Sequence, residues 1–237
     1  DRSVSRGLGD VYKRQEKKMH NVTVAFAVLL VMLLSYFFGC FNGSFMVSHF
    51  IIRDDVRKHG SGNAGLTNFY RTYGAKYALL VIACDMGKTV AACLLGSFFF
   101  RCLGWDGTLG TLLAGLGCEL GHIFPVFYGL RGGKGILSGG TLVLLLNWRV
   151  AAVAWALFLL LWLTTRYVSL ASITATCSAP ITVYFVYGHN WLYTGLCLAV
   201  AALVVWCHRE NIQRLLHGTE KKFKWHVNPT EGKDPPK

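Results

Sequence analysis

The chain has 237 residues, 53% of them hydrophobic and only 15% charged, with a mean hydropathy of +0.41. A soluble domain carries about 25% charged residues and lacks repeated long apolar runs, so this composition excludes a soluble fold and defines a one-domain integral membrane protein. The formal net charge of +12 is concentrated in short loops and tails, which points to loop orientation, anionic headgroups and anionic substrates instead of nucleic acid.

Residues 1–18 are polar and basic and read as a non-native or disordered leader, with Met19 as the natural start. A domain of seven transmembrane helices with short loops is expected over 19–220, followed by a disordered basic tail over 221–237. The predicted helices are 22–47, 75–103, 107–127, 135–146, 150–164, 169–187 and 191–207, each weighed against the roughly 20 apolar residues that cross a bilayer. The fourth and fifth are short, and read as one broken helix or as a pair that does not fully span. The eight cysteines lie in or beside apolar runs, without Cys-x-x-Cys or Cys/His ligand spacing. They are small buried hydrophobes, and no metal, zinc or disulfide framework is indicated.

Cations orient the bundle. One side receives Arg53, Arg57, Lys58, Arg71 and Lys76, then Arg131 and Lys134, then Arg166, and finally the lysines and arginines beyond residue 208. The other receives only Arg101 and Arg149 from the span-bearing region. The cation-rich side is therefore cytoplasmic, with the N-terminus outside and the C-terminus inside. The leader's own cations run against this assignment.

Four polar clusters fall on that side. The first, Gly60-Ser61-Gly62-Asn63-Ala64-Gly65-Leu66-Thr67-Asn68 with Arg71, offers small residues, donors and a guanidinium able to grip phosphate. Its plainer role is a structured loop in which Asn68 caps the next helix. The second runs from Gly121 and His122 through Pro125 into Gly-Leu-Arg-Gly-Gly-Lys-Gly at 129–135. Successive glycines allow N–H groups to converge on an anion, and Arg131 and Lys134 add cations. It is not a Walker A loop, because Gly135 stands where a Ser or Thr would hold magnesium. By itself this stretch also fits a tight cytoplasmic turn.

The third cluster, 164–172, supplies Ser169 and Ser172, which either touch substrate or cap a helix. The fourth, 208–220, has the pattern of an interfacial amphipathic helix with Ile212, Leu215 and Leu216 in lipid. His208 and Asn211 lie three apart and share one face of it. Within the apolar runs stand Asp85 and Lys88, expected to pair, and Glu119, expected to face Lys88 or Lys134.

Together the Ser-Gly-Asn-x-Gly-x-x-Asn loop with Arg71, the Gly-His-x-Phe-Pro-Val-Phe segment leading to Gly-Gly-Lys-Gly, the Thr-Arg-Tyr-Val-Ser-Leu-Ala-Ser turn and the His-Arg-x-Asn-Ile-x-Arg-Leu tail resemble the PlsY family. These are bacterial acyl-phosphate:glycerol-3-phosphate acyltransferases. The resemblance implies an inner-membrane enzyme of phospholipid biosynthesis with its active site on the cytoplasmic side. It would move an acyl group from acyl phosphate to the 1-hydroxyl of glycerol 3-phosphate, giving lysophosphatidic acid and phosphate, with no cofactor and no obligate protein partner. It implies that Ser61, Arg71, Lys134, Ser172, His208 and Asn211 line the catalytic pocket, and that Gly62, Asn63, Asn68, His122, Gly132, Gly133, Gly135 and Ser169 contribute to binding. In this scheme Lys134 and Arg71 neutralise phosphate and the glycines donate N–H groups. Ser172 and Asn211 orient the glycerol, and His208 holds phosphate or relays a proton. Leu66, Phe69-Tyr70, Thr89 and Glu119 depart from the family pattern. The rival class is a small-anion transporter or channel, against which no inverted repeat is visible.

Overall fold

The computed structural model describes residues 2–224, and among these the secondary structure is entirely helical. In chain order the helices are α1 (Arg2–Cys40), α2 (Gly43–Met46), α3 (Leu66–Tyr73), α4 (Ala78–Cys102), α5 (Gly107–Ile123), α6 (Ile136–Leu146), α7 (Trp148–Thr165), α8 (Val168–Val186), α9 (Trp191–Cys207) and α10 (Arg209–Leu216). Five helical segments are long and apolar enough to cross a bilayer, and six if α9 and α10, bent by 59°, form one broken span. Leu79, Phe98, Phe185 and Trp191 are exposed on these segments, as expected of side chains that face lipid. At 11 residues α6 falls short of a full span.

The connections are short because their residues start the next helix directly. Asp106 caps α5 by accepting from Thr108 N (2.8 Å), Asn147 caps α7 from Arg149 N (2.9 Å), and Asn190 caps α9 from Leu192 N and Tyr193 N. Three boundaries, the start and end of the first helix and the end of α5, differ by more than three residues from those expected. The first helix is helical from Arg2, through the basic leader, and breaks at Cys40 instead of running to residue 47. There Asn42 caps α2 and donates to Ala64 O (2.9 Å), so the break joins the chain to the first loop. That loop contains α3, and α5 ends before Pro125, whose ring cannot continue the helix. The tail expected to be disordered lies outside the described residues from 225 onward, while Lys221 and Phe223 near its start bond to the body.

Helix α5 forms the centre of one half of the bundle, with α1 and α4 against it. These contacts are made on glycine. A Cβ added to Gly121 would lie 2.9 Å from Gly39 Cα on α1, and one on Gly96 would meet the Gly110 backbone on α5. Small residues let apolar helices approach until their backbones touch, which supplies packing where no hydrophobic effect separates helix from lipid. The other half, α6 to α9, is joined by larger side chains around Leu146, Val150, Val183 and Tyr193.

Candidate active site

Between the two halves lies a cavity of about 980 Å³. All four polar clusters reach it: Ser61, Asn63, Asn68 and Arg71 from the first, His122, Lys134 and Gly135 from the second, Ser169 and Ser172 from the third, and His208 and Asn211 from the fourth. Below this polar end the same cavity continues between Leu142, Ala154, Phe158, Ala175, Cys197 and Val200. One continuous space thus has an ionic end and an apolar end.

The glycine turn is held from beneath by a buried network. Lys88 Nζ on α4 meets Asp85 Oδ1 (2.8 Å), donates to Gly39 O (3.2 Å) and Phe41 O (3.0 Å), and approaches His122 Nδ1 at 2.7 Å. An ammonium only donates, so His122 Nδ1 is an acceptor and its proton is on Nε2. That Nε2 faces Gly133, where any side chain would collide with it. The expected Asp85–Lys88 pair is present. Glu119 makes no ion pair with either lysine; its carboxyl is buried against Gly135 and Gly139 without a hydrogen-bond partner.

The turn's N–H groups have a different use from the one expected. Gly132 N donates to Ile123 O (3.1 Å) and Gly133 N to His122 O (3.0 Å), while Gly132 O accepts from Ala64 N (3.3 Å). These glycines close the turn and bind it to the first loop, and neither Gly132 nor Gly133 lines the cavity. Arg131 is exposed and also points away, leaving Lys134 as this turn's cation in the cavity.

Asn68 lies within α3 and does not cap the following span, α4, whose N-cap position is Tyr77. Its Oδ1 accepts from Ser61 N (2.9 Å) and its Nδ2 donates to Val56 O and His59 O, so it folds the first loop. Gly62, in left-handed backbone, donates to His59 O and lies off the cavity. Ser172 Oγ is buried in the wall without a hydrogen-bond partner. His208 Nδ1 lies 2.8 Å from Val204 O, which only accepts; the proton is therefore on Nδ1, leaving Nε2 as the acceptor of the neutral ring.

A group given no role from sequence, Glu220, dominates the ionic end. Gly218, at φ +68°, reverses the chain after α10, and Glu220 returns against the site. Its carboxylate accepts from Ser169 Oγ, Asn211 Nδ2 and Arg214 Nε, each at 2.8 Å. Burial raises the Glu220 carboxyl's pKa, but these three donors outweigh it and hold the group below the usual range. Burial and then Arg214 push the Lys134 ammonium below its ordinary value, against the pull of Glu220 and Glu210. Beyond Glu220, Lys221 O accepts from Arg71 (3.1 Å), Phe223 N donates to Arg166 O (2.8 Å), and the Phe223 ring stacks on Tyr70. The signal was the glycine directly after an amphipathic helix, a chain-reversal mark that brings the next acid back against Arg214 and Asn211.

A helical membrane bundle whose ionic pocket opens into an apolar compartment is a membrane protein with an amphiphilic cavity. Comparison with known proteins is specific. The family described as glycerol-3-phosphate acyltransferase matches residues 29–218. The glycerol-3-phosphate acyltransferase of Syntrophomonas wolfei is 39% identical over 197 residues, covering 83% of this chain and 96% of that protein. That of Finegoldia magna is 36% identical with the same coverage. A crystal structure of PlsY, an integral membrane glycerol 3-phosphate acyltransferase in its glycerol 3-phosphate form, matches with a TM-score of 0.74 and 36% identity over 83% of this chain and 96% of that one. A second PlsY structure, in a lysophosphatidic acid form, matches with a TM-score of 0.72. The chain belongs to the PlsY-type glycerol-3-phosphate acyltransferase family.

Proposed function

We propose that this protein acylates the 1-hydroxyl of glycerol 3-phosphate using acyl phosphate, releasing lysophosphatidic acid and inorganic phosphate. The observation that carries the reading is the single cavity with cations and hydroxyls at one end and apolar walls at the other. Each substrate has a phosphate for the first, and the donor has a chain for the second. Relatives named for glycerol 3-phosphate, one similar structure in that form and another in a lysophosphatidic acid form support the same substrate and product.

Acyl phosphate is an activated mixed anhydride, so the reaction needs no covalent enzyme intermediate. The glycerol hydroxyl oxygen bonds to the acyl carbon, the bond from that carbon to the phosphate oxygen breaks, and phosphate leaves as a stable anion. The hydroxyl proton passes to a phosphate oxygen, directly or through His208 Nε2 as acceptor. Lys134 and Arg71 balance phosphate charge, and Ser172, a hydroxyl lacking a protein partner, takes a substrate oxygen. Holding both reactants aligned supplies roughly 7–11 kcal/mol of the barrier.

The deciding assay is purified protein in detergent with glycerol 3-phosphate and either acyl phosphate or acyl-CoA, in excess chelator. Lysophosphatidic acid is expected from acyl phosphate alone, undiminished by the chelator. Comparable turnover with acyl-CoA overturns the donor, and no product from either donor returns the rival transporter to favour. We also infer seven crossings, with α6 and α7 each counted, the N-terminus outside and the site facing the cytoplasm of a bacterial inner membrane. Reporters fused at residues 21 and 221 are expected to give opposite signals; like signals require an even number of crossings.

A further inference from the structure

The Asn211 amide stands between two charges of opposite sign. Its Oδ1 takes a hydrogen bond from Lys134 Nζ, and its Nδ2 donates to Glu220 Oε1. Chemistry fixes this orientation: an ammonium has only donors, so it requires the amide oxygen, and a carboxylate has only acceptors, so it requires the amide nitrogen. Reversing Asn211 breaks both bonds at once. Glu220 is itself held at 2.8 Å by Ser169 Oγ and Arg214 Nε, and its side chain is only 6% exposed. The carboxylate is the fixed end of a relay whose free end is the Lys134 ammonium.

We propose that Glu220 is a positioning residue: by claiming the Asn211 amide nitrogen it turns the amide oxygen to Lys134 and aims that ammonium at the phosphate seat. Asn211 accordingly acts on Lys134, with both ends of its amide engaged, and does not orient the glycerol. The inference rests on the reading of Lys134 as a phosphate ligand. It differs from a view of Glu220 as a stand-in anion, which substrate phosphate would displace and whose removal would tighten binding.

The relay can be transposed. In Glu220→Gln the new amide offers nitrogen where Asn211 also offers nitrogen, or where Arg214 donates. In Asn211→Asp two carboxylates face each other. In the double variant the carboxylate introduced at position 211 accepts from Lys134 and from the amide introduced at position 220. The oxygen of that amide accepts from Arg214, and its second N–H turns to Ser169 Oγ, which changes from donor to acceptor. The experiment measures glycerol 3-phosphate affinity by calorimetry, and steady-state kinetics with palmitoyl phosphate, on monodisperse full-length protein. Each single variant is expected to weaken glycerol 3-phosphate binding by about tenfold or more, the scale of a lost charge-assisted hydrogen bond, with the kinetic loss mainly in KM. The double variant is expected to recover most of that loss. Ser169→Ala, which removes one donor and is the milder perturbation, is expected to weaken binding in the same direction by less.

Tighter binding in Glu220→Gln makes the carboxylate a stand-in anion and overturns the relay. Wild-type affinity in both Glu220→Gln and Ser169→Ala, or a double variant no better than the worse single one, also overturns it. If Glu220→Gln does not give monodisperse protein, Ser169→Ala and the double variant decide: normal affinity in the first or no binding in the second rejects the relay. Wild-type protein that binds glycerol 3-phosphate without transferring an acyl group would reject the proposed reaction while leaving the relay judged by affinity alone. Wild-type protein that does not bind it rejects both.

Discussion

The two halves of this bundle solve opposite problems. In α1, α4 and α5 backbones touch across Gly39 and Gly121 and across Gly96 and Gly110, leaving no space for a methyl group. Between that half and α6 to α9 the helices leave a cavity of about 980 Å³, lined by side chains such as Phe158 and Leu142. The closed half also contains the buried Asp85–Lys88–His122 network that carries the glycine turn. The contrast teaches that Lys134, on the glycine turn, is carried by the half that cannot give, while the apolar end of the cavity runs chiefly along the half that leaves room. A phosphate requires fixed donors, whereas an alkyl chain requires only volume.

The sharpest way to break this contrast is to force a side chain into the closed half. Gly121→Leu is expected to prevent stable folding, because the clash is with the Gly39 and Cys40 backbone and exceeds the ~1–3 kcal/mol of ordinary overpacking. Gly195→Leu on the exposed face of α9, with nothing near its added Cβ, is the matched control and should differ little from wild type. Monodisperse yield and Tm in detergent report both. Equal tolerance of the two substitutions would show that the halves do not differ in stiffness.

Next in size is Lys134→Met. It keeps the stem and removes the charge, so turnover per folded molecule should fall at least about ten- to a hundredfold, the worth of a charge-assisted hydrogen bond. Tm should change little, since the turn is held by backbone bonds and by His122. Lys134→Arg is expected to rescue only partly, because a planar fork replaces a point donor. Wild-type specific activity in Lys134→Met would move the phosphate seat to Arg71 and Arg214.

The smallest effect is a pH shift. Burial and Arg214 lower the Lys134 pKa below that of an ordinary lysine, so its charge is lost earlier as pH rises. KM for glycerol 3-phosphate should therefore climb on the alkaline side, and Lys134→Arg, which stays protonated, should remove that climb. An alkaline limb unchanged in Lys134→Arg would assign it to another group.

How much of this was legible depends on whether a residue acts through its neighbours in sequence or through contacts across the bundle. Every apolar run became a helix, and the four polar clusters converge on one cavity, because hydropathy and turn chemistry are local. The break at Asn42 was missed because its cause, Ala64 O, lies in the next loop. The glycine turn was assigned to anion binding by its composition. Which carbonyls Gly132 and Gly133 engage is set by how α5 ends, and composition does not carry that. Glu220 was passed over because the cluster 208–220 was read as an amphipathic interfacial helix, whereas its role comes from the reversal at Gly218. The seven predicted crossings stand against five or six helical segments of full length, since an 11-residue α6 is a helix by pattern and short of a span by length.

The strap over 220–223 has a consequence for the order in which the protein becomes competent. A polypeptide emerges from its N-terminus and its domains form as they appear. Each helix from α1 to α10 precedes Glu220 and Phe223, so the carboxylate that orders the ionic end is made after every element it orders. The ring that seats between Tyr70 and Trp162 comes later still. On the proposed relay, a chain that terminates before residue 220 is expected to lack the group that aligns Lys134. Competence is set by the last part of the domain to be made.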